Sequence, residues 1–78
     1  MIDDRIAAFV RRRRQSQGLS QVELAERAGV GLRFVRELEQ GKRTVRRDKV
    51  EQVLALFGHT LGPVPMDRDE LVEGKDGG

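Results

Sequence analysis

Apolar residues recur along this chain at helical spacing, in four runs punctuated by glycines. In the first, Ile6, Val10 and Arg14 stand at i, i+4 and i+8 with Phe9 and Arg13 beside them, so one stripe of a helix over residues 1–17 faces inward. Asp3 and Asp4 lie in its first turn and arginines in its last, as the helix dipole favours, and Gly18 ends it. The second run opens with Ser20-Gln21-Val22-Glu23, which has the S-x-x-E form of a capping box. Leu19 before the cap and Leu24 inside the helix have the spacing of a hydrophobic staple. Ala28-Gly29-Val30 reads as a tight turn, with Gly29 supplying the left-handed residue that closes the helix.

A third helix is expected over 32–40, with Gly31 as a plain N-cap and Gly41 as its stop. Val35 and Leu38 mark its buried side, Val30 and Val35 repeat the staple spacing, and Ala25 is small where the two short helices cross. Residues 42–47, KRTVRR, form a basic loop with Val45 turned inward. The fourth helix runs to Phe57, with Val50, Val53, Leu54 and Phe57 at i, i+3, i+4 and i+7. Asp48 and Glu51 have capping-box spacing at its start, although Thr44 offers an earlier one, and Gly58 ends it. The expected core joins these four residues to Ile6, Val10, Leu24, Ala25, Val30, Val35 and Leu38.

After Gly58 the pattern changes. Thr60, Leu61 and Val64 favour a strand, whereas Pro63 and Pro65 confine it to an edge. An isolated strand has no partner in an all-helical monomer. Residues 59–65 are therefore expected to pair with a second copy through His59, Thr60, Leu61, Gly62 and Val64. Residues 66–78 are polar and acidic, and read as a flexible tail.

Two helices as short as the second and third are not stable alone and must pack on each other. A pair of this kind with a glycine in the turn is a helix-turn-helix arrangement. The stretch GLSQVELAERAGVGLRFVRELEQGK resembles the Xre/lambda-repressor family of bacterial DNA-binding domains, a likeness that covers residues 6–58. It implies an all-α, four-to-five-helix lambda-repressor-like fold, to which the strand read from residues 59–65 adds pairing across a dimer. It also implies an internal ion pair between Arg14 and Glu39. RFVRELEQGK, followed by DKVEQVLALFGHTLG and a β-forming VP segment, is similar to HipB-like antitoxins. That similarity implies operator DNA and a HipA-like kinase toxin as partners. A free-standing Xre-type or phage-type repressor, and an interaction module that has lost DNA binding, stand as alternatives.

Composition narrows the chemistry. The 78 residues make one small domain, and the absence of cysteine excludes disulfides and thiolate metal sites. With a single histidine, His59, a histidine metal cluster is excluded as well. No nucleophile motif or phosphate-binding glycine loop is present, so neither catalysis nor a cofactor is expected. Lacking an apolar span or a signal peptide, the chain is expected in the bacterial cytoplasm, at the nucleoid, and not at a membrane. Residues 1–58 hold thirteen Lys/Arg against eight Asp/Glu, and residues 59–78 hold two against five. A basic globule with an acidic tail suits a nucleic-acid binder. Most of the run Arg11-Arg12-Arg13-Arg14 reads as a solvated face, with Arg11 and Arg12 adding long-range attraction for phosphates.

On the third helix, the side opposite Val35 and Leu38 displays Arg33, Arg36, Glu37 and Gln40, flanked by Leu32 and Phe34. Leu32, Arg33, Phe34, Arg36 and Glu37 are the candidate base readers, with Arg33 placed to fork onto guanine O6 and N7. Leu32 or Phe34 could meet a thymine methyl, although Phe34 could equally pack inward. Gln21, Gly31, Gln40, Lys42, Arg43, Arg46 and Arg47 are the candidate phosphate contacts, Gln21 by its likeness to the family's backbone-binding glutamine. Gly31 departs from the family's usual Ser or Thr, and Leu32 from its usual polar reader.

Overall fold

The structure, a computed structural model, describes residues 4–63. Four helices follow one another: α1 (Asp4–Ser16), α2 (Gln21–Ala28), α3 (Leu32–Glu39) and α4 (Arg47–Leu56). The N-terminal start expected for the first helix, Val64 and Pro65 of the expected strand, and the acidic tail lie outside the described residues.

The local signals act where the chain places them. Ser20 Oγ accepts from the Glu23 N–H at 3.0 Å, and the Glu23 carboxylate accepts from the Ser20 N–H at 2.9 Å. The capping box of α2 is therefore complete. Gly29 closes α2 in the left-handed region at φ 75°, its N–H donating to the Ala25 carbonyl. At the end of α3, Gly41 (φ 79°) closes a Schellman motif. There the Lys42 N–H donates to the Glu37 carbonyl at 3.0 Å and the Gly41 N–H to the Leu38 carbonyl at 3.1 Å.

α4 differs from the expectation. Its N-cap is Arg46 and it begins at Arg47, with no side-chain capping bond. Neither Thr44 nor an Asp48 cap starts it. The Asp48 carboxylate lies in the first turn and accepts from Arg46, Nη2 to Oδ2 at 2.6 Å and Nε to Oδ1 at 3.1 Å. The arginine that precedes the helix thus takes the oxygens that capping would have used.

Packing puts α3 against both α1 and α2, and α4 against α2. Val10, Leu24, Ala25, Val35, Leu38, Val50, Val53, Leu54 and Phe57 form the core cluster. Ile6, Val30 and Val45, all expected to point inward, are half-buried and lean on it. Ala7 and Leu19 are buried as well. Leu19 joins the interior as the outer half of the staple, opposite Leu24. Phe9 and Phe57 meet edge to face, with ring centroids 6.4 Å apart.

Residues 59–63 carry no strand, and no strand exists among the described residues. A strand is a ladder between two segments, and the described residues, helical elsewhere, offer no second one. The segment is nonetheless tied down: the His59 ring lies on Phe9 with centroids 4.7 Å apart, and Leu61 packs against the core. Thr60 and Gly62, between and beyond them, are exposed.

Candidate nucleic-acid interface

The outward side of α3 is set by what holds its inward side. Val35 and Leu38 are fully buried. Glu39, at the end of the helix, is buried although charged, and its partners explain how. The Arg14 guanidinium donates Nε to Glu39 Oε2 at 2.7 Å and Nη2 to Glu39 Oε1 at 3.0 Å, while its Nη1 reaches the Leu19 carbonyl at 2.9 Å. Gln21 Nε2 adds a third donor to Glu39 Oε1 at 3.2 Å. No buried side-chain polar atom among the described residues lacks a partner. The hydrogen bond that Arg14 donates to Glu39 raises the pKa of Arg14 beyond its already high ordinary value, against the opposing effect of burial. This cluster ties α1 and the start of α2 to the last turn of α3.

Arg11 is the part that sequence reasoning missed. The arginine run suggests a solvated phosphate attractor, yet the Arg11 Nη2 donates to the Glu39 carbonyl at 2.7 Å. A cation at the C-terminal end of α3 meets both an orphan carbonyl and the negative end of the helix dipole. The signal was present: Arg11 stands three residues before Arg14, and side chains so spaced share a helix face.

With the inner side fixed, the outer side presents Arg33, Arg36 and Gln40 to solvent. Arg33 is the extreme case, with 91% of its side chain exposed. Leu32 and Phe34 are half-buried and pack against the core, so only their outer edges reach the surface. Glu37 lies between two cations, its Oε1 3.2 Å from Arg33 Nε and its Oε2 3.3 Å from Lys42 Nζ. The hydrogen bond from Lys42, more than that from Arg33, holds the Glu37 carboxyl below the ordinary glutamate range.

Several candidate phosphate contacts surround this face. Gly31 caps α3 with extended dihedrals (φ −78°, ψ 154°) and no side-chain bond. Gln21, at the first position of α2, is half-buried and turned toward Glu39. Lys42, Arg43 and Arg46 are exposed in the loop that leaves α3, and Arg47 is exposed at the start of α4. Arg46 is paired with Asp48, and Arg47 Nε lies 3.6 Å from Glu51 Oε1. The structure thus gathers Arg33, Arg36, Gln40, Glu37 and Lys42 about one helix. In the expected dimer segment, the His59 ring lies on Phe9 and Leu61 packs against the core. Among the described residues, no group of His, Asp or Glu side chains could hold a metal ion, and no helix is long and apolar enough to cross a membrane.

A family profile described as a helix-turn-helix domain covers residues 5–65. An uncharacterized HTH-type transcriptional regulator, y4mF of Sinorhizobium fredii (strain NBRC 101917 / NGR234), is 55% identical over 56 residues, spanning 72% of this chain and 74% of the relative. Among solved structures, a toxin–antitoxin module from Streptococcus pneumoniae superposes with a TM-score of 0.67 at 35% identity, covering 80% of this chain and 68% of that one.

Proposed function

The chain belongs to the Xre-type helix-turn-helix family, as a DNA-binding transcriptional regulator, and we propose that it represses transcription by reading operator DNA through α3 as a homodimer. One observation carries the reading: burial of Val35, Leu38 and Glu39 aims Arg33 and Arg36 outward from a short helix wide enough only for a major groove. Arg33 forks onto a guanine, Arg36 reaches a base or phosphate one turn on, and the exposed edges of Leu32 and Phe34 approach thymine methyls. The N–H groups at Gly31 and the side chains of Gln21, Gln40, Lys42, Arg43, Arg46 and Arg47 set the register on the phosphates. Pairing of residues 59–64 between two copies spaces the two recognition helices.

More narrowly, the protein acts as the antitoxin of a toxin–antitoxin operon, binding a HipA-like kinase toxin and repressing their shared promoter. The toxin–antitoxin module among its structural relatives supports the antitoxin role, and the likeness to HipB-like sequences supports the kinase. Asp67, Asp69, Glu70 and Glu73, outside the described residues, are candidates for the kinase contact. Co-expression with the product of the adjacent reading frame, followed by size-exclusion chromatography and gel shift on the promoter, tests it. A joint peak that binds the promoter more tightly than the dimer alone is expected. Separate elution with unchanged promoter affinity leaves a free-standing repressor.

A further inference from the structure

The position of Glu37 on the outer side of α3 suggests a base contact, but its surroundings give it a different task. We infer that Glu37 is a positioning residue, which grips the Arg33 guanidinium at Nε and so presents its two terminal nitrogens as an end-on fork for guanine. The inference rests on the reading of α3 as the DNA-reading helix and deepens it.

An arginine carries five N–H donors, one on Nε and two on each Nη. It can approach guanine O6 and N7 side-on, through Nε and one Nη, or end-on, through both Nη. Arg33 stands one turn before Glu37, and its Nε lies 3.2 Å from Glu37 Oε1. That contact consumes the side-on edge and leaves the end-on edge open. A side chain with 91% exposure and no such tether samples many rotamers, all of which must be given up when it seats on a base. The tether removes part of that search before DNA arrives.

A bare carboxylate on a DNA-facing helix would repel phosphates. Here the second oxygen is covered too, since Lys42 Nζ lies 3.3 Å from Glu37 Oε2. The fold itself brings Lys42 there. Gly41 turns the chain at the end of α3, and the Lys42 N–H bonds the Glu37 carbonyl, so the lysine stem starts beside the carboxylate. With one cation on each oxygen, Glu37 is poorly placed to accept from a cytosine amino group and well placed to orient its neighbours.

The test is selection of bound sequences from a randomised duplex library at fixed salt. It uses the full chain and its Arg33→Ala, Glu37→Ala, Glu37→Gln and Arg33→Ala/Glu37→Ala variants, with melting temperatures alongside. Arg33→Ala flattens the guanine preference at one position of each half-site. Glu37→Ala is expected to weaken that same preference about 5- to 10-fold. It also strengthens binding to duplex lacking the site, because a negative charge has gone. Glu37→Gln retains the preference within about 2-fold, since its amide oxygen still accepts from Nε, as charge alone would not predict. The double variant matches Arg33→Ala.

Three results overturn the inference while leaving the DNA-reading role of α3 intact. Glu37→Ala could relax a different position, which would make Glu37 itself the reader. It could leave the Arg33 position untouched, which would make the tether idle. It could flatten every position together with a lower melting temperature, which would make its role structural. If the unaltered chain enriches no sequence, the reading of α3 falls, and this inference with it.

Discussion

Arg14 and Glu39 meet through two parallel hydrogen bonds, 2.7 and 3.0 Å long, with 14% and 5% of the respective side chains exposed. The pair joins the last turn of α1 to the last turn of α3. It therefore limits how far α3 can rotate about its own axis, and so where Arg33 and Arg36 point.

Breaking this pair leaves a charge in a nearly dry site. Glu39→Gln and Arg14→Met are each expected to destabilise the fold by about 3 kcal/mol or more, the usual cost of an uncompensated buried charge. The double variant should lose less than the sum of the two. Chemical denaturation of the four proteins measures the coupling directly. Simple additivity would mean that the two side chains do not interact.

Two glycines should respond in opposite directions. Gly31 has dihedrals open to any residue, and a Cβ there meets nothing within 4 Å. Gly31→Ser is expected to stabilise by about 0.4–1 kcal/mol, through a less flexible unfolded chain and a side-chain cap for α3. Gly41 is left-handed at φ +79°, and a Cβ there would lie 2.7 Å from Asp4 Oδ1. Gly41→Ala should cost about 1–2 kcal/mol from the backbone conformation alone. Midpoints of urea unfolding compare the two.

Acid should weaken the fold from its carboxylates. The Glu23 carboxyl is held below its ordinary range chiefly by the Ser20 N–H, that of Glu37 chiefly by Lys42, and that of Asp48 chiefly by Arg46. In each case the unfolded chain takes up the proton first. The stability these groups contribute is full above their unfolded values, about 4.3 for Glu and 3.9 for Asp, and fades as pH falls through the lower folded values. Melting temperature should therefore drop below about pH 4.3. Glu23→Gln, which keeps a capping-box acceptor but does not titrate, should show a shallower drop.

The helices were legible because each carries its own punctuation: Ser20 with Glu23, then Gly29, Gly41 and Gly58. The direction of α3 was legible from Val35 and Leu38, since burial of those two leaves Arg33 and Arg36 outside. What the sequence hid were choices between equivalent partners. Asp48 could cap α4 or pair with Arg46, and the start of the helix at Arg47 puts Asp48 inside the first turn, where it pairs with the arginine. Arg11 could reach a phosphate or the end of α3, a contact between residues 28 apart in the chain. Residues 59–63 favour a strand by composition, but a strand depends on what lies beside it. In the isolated chain, the neighbours of His59 and Leu61 are Phe9 and the core.

The dimer proposal has a direct check. A chain ending at Gly58 removes the whole pairing segment, and its melting temperature shows whether the fold survives loss of the His59 ring on Phe9 and of Leu61 from the core. Sedimentation should show monomers, which bind a single half-site weakly because the link between two recognition helices is gone. An unchanged dimer would put the interface elsewhere.

Base preference at the DNA is the most direct test of the account. Sequences selected by the unaltered chain from a randomised duplex library should form an inverted repeat, its half-sites spaced by about 10 bp or a multiple of it. Arg33→Ala should weaken binding to that site by about 1–3 kcal/mol and erase preference at one base pair per half-site. Arg43→Ala, at a proposed phosphate contact, should weaken all sequences alike and make the salt dependence shallower. Selection of the same motif with the same stringency by Arg33→Ala would contradict the assignment of α3 as the helix that reads the bases.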